Sequence, residues 1–328
     1  MKRRALIQAS FGLAGLQSLG ACASANLHWE TSTFNALGTT LSIRAAHHNK
    51  DALKTALLAA RDVVTHVEDQ MSLFRPSSAL SQLNRDGELL HPDAGLVRLL
   101  MLSQKLAEKS KGAFDVTVQP LWALFASRQK IGRLPTEAEI AQARQRVGWR
   151  SLHITPRRIA FGKEGMGVTL NGIAQGYVSD RVRHKLHSLG IRHALINTGE
   201  WSSLGHSDDG RDWVLGIADP HQANQLMARL RMSGSCIATS SDEQCTFSAD
   251  RKYHHIFDPA TGYSPQDISS VTISAPTCAQ ADALTKVLFV AGYAKALDVA
   301  NQWHVNALVV HKNGQWQASR ALHLQHVS

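Results

Sequence analysis

The sequence predicts an α+β protein with mostly antiparallel sheets and packed helices. Helical periodicity dominates the first half of the chain, and short strand-like runs dominate the second half, with no internal repeat. The chain has 328 residues, of which 44% are hydrophobic and 19% charged, which suits a large globular core and rules out a disordered chain. We expect one domain over residues 27–328, with two intimately packed α+β subdomains meeting near residue 150 as the alternative.

Helices are predicted from apolar spacing and from capping residues. Asp51 opens the first helix, whose apolar face comprises Leu53, Leu57, Leu58, Val63, Val64, Val67 and Met71. A helix beginning at Thr136 carries Glu139 three residues later, which is the capping-box pattern. The remaining predicted helices cover residues 93–111, 173–188, 279–290 and 293–303.

Strands are predicted where β-branched and apolar residues form short runs between turn residues. Residues 151–155 and 158–161 flank Pro156-Arg157 and predict a hairpin. The other predicted strands cover residues 37–45, 168–170, 192–197, 213–218, 226–232, 252–257, 270–275 and 305–311.

The N-terminal segment has the pattern of an export signal. Three basic residues precede a short apolar stretch from Ala5 to Leu19, which is too short for a comfortable membrane helix. The stretch ends in Leu19-Gly20-Ala21-Cys22, which resembles a bacterial lipobox. We therefore expect a signal peptide over residues 1–21, a lipidated Cys22 as the mature N-terminus, and a membrane-anchored protein in the periplasm. An ordinary signal peptide cleaved after Ala23 or Ala25 is the alternative.

The charge pattern argues against a nucleic-acid partner. The net charge is +9, but three of the basic residues lie in the leader and the rest are spread along the chain without a basic block. A basic cleft for a small polyanion uses the same charge better. Beyond Cys22 the chain has Cys236, Cys245 and Cys278. A Cys236–Cys245 disulfide and three unpaired buried thiols both remain open.

Two clusters in the first part of the mature chain carry groups that could do chemistry. Gly112 to Val118 places Asp115 in a turn after a helix, where its carboxylate could bind a ligand or bond the turn amides. Thr169 to Tyr177 contains Asn171-Gly172 at the start of a predicted helix. Free N–H groups at a helix start favour phosphate, although Asn-Gly is also a common turn pair.

Two further clusters lie towards the C-terminus. His255 and Asp258 stand three apart before a Pro/Gly turn, where a histidine could act as a base and the aspartate could orient it or merely shape the turn. Asp282, Thr285 and Lys286 share one face of a predicted helix. Oxygen ligands of this kind suit Mg²⁺, whereas a routine Asp–Lys helix salt bridge is the alternative.

In order and spacing these clusters resemble the FAD:protein FMN transferase family, often called the ApbE family. The resemblance runs from about Phe34 to Gln315 and is carried by these stretches: ALGTTLSIR (36–44), EDQMSLFRPSSALSQLN (68–84), GAFDVTVQPLW (112–122), TLNGIAQGYVSDRV (169–182), LINTGE (195–200), ATSSD (238–242), HIFDPATG (255–262) and ADALTKVL (281–288). It implies a T-fold-like structure. It also implies a magnesium-assisted reaction that cleaves FAD at its pyrophosphate, attaches FMN by a phosphoester to a threonine of an acceptor flavoprotein, and releases AMP.

The resemblance also implies roles for particular residues. His255 would be the base with Asp258 orienting it, and Asp282 and Thr285 would hold Mg²⁺. The FAD site would be lined by Leu37, Phe74, Ala113, Phe114, Asp115, Thr169, Asn171, Gln175, Glu200, Thr239 and Ile256, with Phe74 either stacking on a ring of FAD or packing in the core.

This chain departs from the family pattern at four of these places, one of which is Glu200, where the family's LVEIGG is altered to LINTGE. Many members have an acidic residue at the position of Thr169, a lysine at that of Gln175, and the metal-binding threonine at that of Lys286. The ammonium of Lys286 could replace or repel a cation, or neutralise a phosphate itself. Two other functions use the same site: a FAD pyrophosphatase that yields FMN and AMP, and a FAD-binding lipoprotein without catalysis.

Overall fold

The structure is a computed structural model, and it describes residues 27–222, 224–232, 234–322 and 324–326. The strands in these ranges are β1 His28–Ala36, β2 Thr39–His47, β3 Glu88–Leu90, β4 Leu152–Ile154, β5 Arg158–Phe161, β6 His193–Asn197, β7 Trp201–Leu204, β8 Trp213–Ala218, β9 Leu226–Met232, β10 Cys236–Ser241, β11 Ile268–Ala275, β12 Asn306–His311, β13 Trp316–Ala318 and β14 Leu324–His326. The α-helices are α1 Lys50–Met71, α2 Ala79–Asp86, α3 Ala94–Lys109, α4 Gln119–Gln129, α5 Glu137–Arg144, α6 Ala174–Ser188, α7 Cys278–Ala291 and α8 Tyr293–Gln302.

A sheet of eight strands forms the centre of the fold. Its order is β1-β2-β6-β7-β10-β11-β12-β13, and neighbouring strands pair antiparallel throughout. Successive side chains of a strand point to opposite faces of a sheet, and here apolar side chains are buried on both faces. On β10, Ala238 faces the main core while Ile237 faces a second cluster. On β12, Val309 and Leu308 divide in the same way.

Helices cover one face of the sheet and a small sheet covers the other. Helix α1 packs on β1 and β2, α6 on β6 and β7, α7 on β10 and β11, and α8 on β12. The other face receives the three-stranded sheet β14-β9-β8, whose Trp213, Leu215 and Met232 form the second cluster. A third sheet has the order β3-β5-β4, and its strands do not pair with those of the other two sheets.

A third apolar cluster fixes the long loop of residues 242–264. Phe125 of α4 lies 5.3 Å from Phe247 and 5.2 Å from Phe257, measured between ring centroids. Ile140 of α5 is buried in the same cluster. Aromatic pairs at these separations add packing energy beyond the area that they bury. The loop that carries His255 is therefore held on helices from the first half of the chain.

The predicted fold class is confirmed, and most predicted elements occur within a few residues of their expected bounds. The capping box of Thr136 and Glu139 forms, and the predicted hairpin is the β4–β5 pair. The main core takes residues from both sides of residue 150. The division into one domain or two subdomains stays a prediction.

Several predictions about local structure were wrong. Residues 168–170 are extended but join no sheet, and residues 252–257 form a loop with a single bridge between His254 and Thr246. Leu58 is 60% exposed, because it lies just outside the buried stripe of α1. The strands β1, β3, β7, β10, β13 and β14 and the helices α2 and α4 were not anticipated.

The cysteines are placed differently from the pairing that was considered. The sulfur of Cys278, at the start of α7, lies within 4.8 Å of the sulfur of Cys236. Cys245 lies beyond the far end of β10, and that strand alone extends about 16 Å from Cys236 at the usual rise per residue. All three thiols are unbridged in the structure. The leader and Cys22 lie outside the described residues, and no helix within the described ranges has the length and apolarity to cross a bilayer.

Candidate functional site

Three of the four clusters singled out in the sequence meet at Gly172. A Cβ placed on Gly172 would lie 3.2 Å from Cε of Lys286 and 3.7 Å from Cε2 of Phe114. The N–H of Thr169 donates to the carbonyl of Val116 at 2.8 Å. The turn of residues 112–118, the segment of residues 169–173 and helix α7 therefore form one continuous site.

The segment before Gly172 is held by a side chain rather than by a strand. Asn84, at the end of α2, donates to the carbonyl of Val168 at 2.8 Å and accepts from its N–H at 2.7 Å. These two bonds take the place of a sheet ladder, which is why residues 168–170 are extended without being a strand. Asn171 follows on the surface, with its N–H bonded to Oγ1 of Thr169. Asn84 was missed as a site residue, although it ends the motif of residues 68–84.

The carboxylate of Asp115 is bonded within the protein. Its Oδ1 accepts from the N–H and the hydroxyl of Thr117, at 2.8 and 2.7 Å, and its Oδ2 accepts from the N–H of Trp149 at 3.1 Å. Burial raises the pKa of Asp115, and the three hydrogen bonds oppose that shift. Asp115 thus ties its turn to Trp149, while its neighbours Ala113 and Phe114 pack on the main core.

The carboxylate of Asp282 is almost fully buried and has partners on both oxygens. Oδ1 accepts from the ammonium of Lys286 at 2.5 Å, and Oδ2 accepts from the N–H of Gly176 in the first turn of α6 at 3.2 Å. A negative group at a helix N-terminus is favoured by the helix dipole. The anion at the start of α6 is therefore Asp282 itself, so one of the amides at this helix start, where a phosphate was expected, is already engaged.

The predicted magnesium ligands do not present an open coordination site. The hydroxyl of Thr285 donates to the carbonyl of Asp282 at 2.6 Å and lies 2.7 Å from the hydroxyl of Ser240 on β10. Mg²⁺ requires about six oxygens at 2.0–2.1 Å and keeps several waters. Both Asp282 and Thr285 are closed off from solvent, and the ammonium of Lys286 is already bonded to one carboxylate oxygen of Asp282. This set of donors does not fit the ion.

Three predicted site residues lie where α6 faces the central sheet: Gln175, Glu200 and Thr239. The side-chain amide of Gln175 fills the space beside Gly199, where a Cβ would come within 2.5 Å of its nitrogen. The next residue, Glu200, accepts from the N–H of Thr239 at 3.1 Å, and the hydroxyl of Thr239 lies 2.9 Å from that of Thr272. Gln175 is therefore next to the loop that carries Glu200, and Glu200 is bonded to Thr239.

Leu37 and Phe74 belong to a second corner, which Glu68 holds together. The N–H of Leu37, in the β1–β2 turn, donates to one carboxylate oxygen of Glu68, and Arg75 donates to the other, at 2.8 and 2.7 Å. Phe74, beside Arg75, is 60% exposed. Of the two alternatives for this ring, core packing is therefore wrong, and the ring face is open to a planar ligand.

The loop of residues 242–264 contacts helix α7 through His254, the residue before His255. His254 is buried, its ring lies 5.8 Å from that of Phe289, and its Nε2 lies 3.0 Å from the carbonyl of Pro265. Burial lowers the pKa of His254 to about 4, so this ring is neutral at physiological pH. Because Phe289 lies one helical turn beyond Thr285, the loop that carries the fourth cluster packs on the same helix as Asp282 and Lys286.

The ring of His255 is oriented by a backbone carbonyl. Its Nδ1 lies 3.3 Å from the carbonyl oxygen of Cys245, which also accepts its backbone N–H. An Nδ1–H in this bond leaves the lone pair on Nε2, the form that a general base needs. The carboxylate of Asp258 accepts from the N–H of Ala260 and so shapes its own turn. Ile256 is buried in the main core and anchors the stretch between them.

Comparisons with known proteins cover nearly the whole chain. The model of the ApbE family matches residues 37–309. The FAD:protein FMN transferase of Haemophilus influenzae is 28% identical, with 90% of each chain covered, and that of Vibrio cholerae is 30% identical, with 84% of this chain and 85% of the relative covered. The crystal structure of the ApbE protein of Thermotoga maritima is similar with a TM-score of 0.81 at 27% identity, covering 89% of this chain and 97% of the other. The apo form of the Pseudomonas stutzeri flavinyl transferase ApbE is similar with a TM-score of 0.78 at 26% identity, covering 90% and 96%.

Proposed function

The chain belongs to the ApbE family, and we propose that it is a FAD:protein FMN transferase. The observation that carries this proposal is the meeting of three clusters at Gly172 in a chain whose relatives of that name match it over most of its length. The substrates are FAD and an acceptor flavoprotein that offers a threonine.

The reaction exchanges the phosphoanhydride linkage of FAD for a phosphoester linkage to the threonine. The threonine Oγ attacks the FMN phosphorus of FAD, a new P–O bond forms, and the bond from that phosphorus to the bridging oxygen breaks. AMP leaves with the bridging oxygen, and the threonine proton passes to a base. Negative charge on the leaving phosphate has to be neutralised as this bond breaks.

His255 is the base in this proposal. Its Nδ1 contact with the carbonyl of Cys245 supports a ring whose Nε2 can accept the threonine proton. Asp258 then acts indirectly, by shaping the turn that follows His255.

The remaining residues position the substrate. The exposed ring of Phe74 offers a stacking surface for the isoalloxazine or the adenine of FAD. Positive charge beside Gly172 comes from Lys286, and no step of the proposal depends on magnesium, because the donors do not fit that ion.

The test is transfer to a purified acceptor. The mature protein is incubated with FAD and an acceptor domain that carries the target threonine, with a Thr→Ala acceptor as control. We expect flavin fluorescence on the acceptor band together with one AMP per label. AMP and FMN without label would identify a FAD pyrophosphatase, and FAD binding with neither product would identify a binding protein.

A pair of histidine variants tests the base. His255→Ala should lower the transfer rate by about 10²–10⁴, the usual contribution of a general base. His48→Ala changes an exposed histidine near the end of β2 and should leave the rate unchanged. An unchanged rate in His255→Ala with intact folding would remove His255 from the mechanism.

We also propose that the protein is anchored by lipid on Cys22 at the periplasmic side of a membrane. The first strand begins at His28, six positions after Cys22, so an anchor would hold the domain within about 20 Å of the lipid surface. Such a position suits acceptors that are themselves attached to membranes. Mass spectrometry of the mature N-terminus tests this: a diacylglyceryl-modified Cys22 is expected, and an unmodified N-terminus after Ala23 or Ala25 would contradict it.

A further inference from the structure

Lys286 is a fixed cation inside the proposed site. Its ammonium bonds Oδ1 and the backbone carbonyl of Asp282, at 2.5 and 3.0 Å, and its side chain is 16% exposed. The methylene Cε lies against Gly172, so the absence of a side chain at residue 172 makes room for the lysine. These contacts hold the ammonium of Lys286 in place without a bound substrate.

The ammonium has one donor left for a substrate. A lysine has three N–H groups, and Asp282 accepts from two of them. The third is left for a phosphate oxygen, because the lysine side chain, which lies beside Gly172, is partly exposed. A charge-assisted bond of this kind is stronger than a neutral one.

The residues that would hold a metal are bonded to each other instead. Asp282 has Lys286 on one oxygen and Gly176 on the other, and Thr285 is closed by its own bonds. A divalent ion would have to displace the lysine from a buried carboxylate, which like-charge repulsion between the two cations opposes.

We propose that the ammonium of Lys286 is the resident cation of this site, that it binds the pyrophosphate of FAD directly, and that this protein transfers FMN without a divalent metal ion. This inference rests on the proposed function, because the pyrophosphate belongs to the FAD that the transferase consumes.

The first experiment removes metal from the unaltered protein. The transfer rate is measured after EDTA treatment and gel filtration, and again with added Mg²⁺. We expect the two rates to agree within about twofold, since the lysine supplies the cation under both conditions. A large loss with EDTA that Mg²⁺ restores would overturn the inference while leaving the proposed function standing.

The second experiment changes the cation. Lys286→Thr places a hydroxyl beside Asp282, and we expect transfer that fails in EDTA and recovers with Mg²⁺. Lys286→Met leaves Asp282 unpaired, so the double variant Asp282→Asn with Lys286→Met serves as a second, uncharged form that should fold. In Lys286→Met and in the double variant, the transfer rate should fall by about 100-fold, and added Mg²⁺ should not restore it. Lys295→Met, on the exposed side of α8, is the matched control and should behave as the unaltered protein. Full activity in the double variant would overturn the inference.

A binding measurement decides the question even if no transfer is seen. Electron paramagnetic resonance of Mn²⁺ should show no stoichiometric ion on the unaltered protein, with or without FAD. FAD affinity, from flavin fluorescence, should fall in the double variant. Stoichiometric Mn²⁺, or unchanged FAD affinity in that variant, would overturn the inference, whereas absence of transfer and of AMP under every condition would instead refute the proposed function.

Discussion

Gly176 lets two helices of the site approach backbone to backbone. A Cβ placed there would lie 2.2 Å from the carbonyl oxygen of Cys278 and 2.7 Å from the N–H nitrogen of Ala279, at the start of α7. Ordinary contact begins at 3.4 Å, so Gly176→Ala has to push α6 and α7 apart by about 1 Å. The backbone cannot turn aside as a flexible side chain would.

That movement breaks bonds on two carboxylates, the half-buried Asp180 and the buried Asp282. Asp180 of α6 accepts from the N–H groups of Cys278 and Ala279, both at 2.9 Å, and Gly176 itself donates to Asp282. Partial loss of these bonds costs about 3 kcal/mol, and overpacking adds about 1–3 kcal/mol. The better helix propensity of alanine returns about 1 kcal/mol. We expect the free energy of unfolding to fall by about 3–5 kcal/mol.

Urea denaturation followed by circular dichroism measures this loss, and the transfer assay should show a parallel fall because Asp282 moves with α7. Gly95→Ala is the matched control, since the nearest atoms that the new Cβ meets there are the side-chain ends of Asp93, Tyr177 and Arg98. Its effect should stay within about 1 kcal/mol. A loss below 1 kcal/mol for Gly176→Ala would refute the claim that the two helices are in backbone contact.

Three further predictions concern buried groups. Burial lowers the pKa of His254 to about 4 from 6.5, so its contribution to stability is full above pH 6.5 and declines by up to about 3 kcal/mol as the pH falls to 4, measured by urea denaturation across that range. Refolding in a glutathione redox buffer should join Cys236 to Cys278 and not to Cys245, as mapped by mass spectrometry of peptides under non-reducing conditions. Asp115→Ala leaves buried N–H groups without an acceptor and should lower the free energy of unfolding by about 2–4 kcal/mol in urea denaturation.

Each of these has its own control. His254→Gln removes the titrating ring, and a pH dependence equal to that of the unaltered protein would contradict the assignment to His254. Peptides linking Cys236 to Cys245 would show that the packing of β10 on α7 is not as described. Asp115→Asn keeps an acceptor oxygen and should cost less than the alanine change; equal losses would mean that the charge, rather than hydrogen bonding, matters there.

Local elements could be predicted wherever one periodic pattern decides burial. Helix α1 buries Leu53, Leu57 and Val64 as their spacing requires, and Thr136 caps α5 through contacts three residues away. Residues 168–170 show the limit of such reasoning. Their β-branched sequence suits a strand, but Asn84 supplies the hydrogen bonds that a neighbouring strand would have given.

The candidate site divides in the same way. The residue types that bear on the chemistry, and their order along the chain, could be found without a structure, because charge and hydrogen-bonding capacity are properties of each side chain. Which atoms they engage could not be found. Asp282 faces Gly176 across 106 positions of the chain, and only the packing of α6 on α7 makes that bond possible.

The amino-acid sequence by itself determined the secondary-structure class, the leader pattern, the family and the presence of a lysine where a threonine was expected. The tertiary structure decided that this lysine bonds the buried carboxylate of Asp282, and that Asp115 accepts hydrogen bonds from its own turn. It also decided that His255 lies on a loop that packs on α4 and α7. Periodicity and composition act over a few residues, whereas the partner of a buried polar group is chosen by whatever packing brings within about 3 Å.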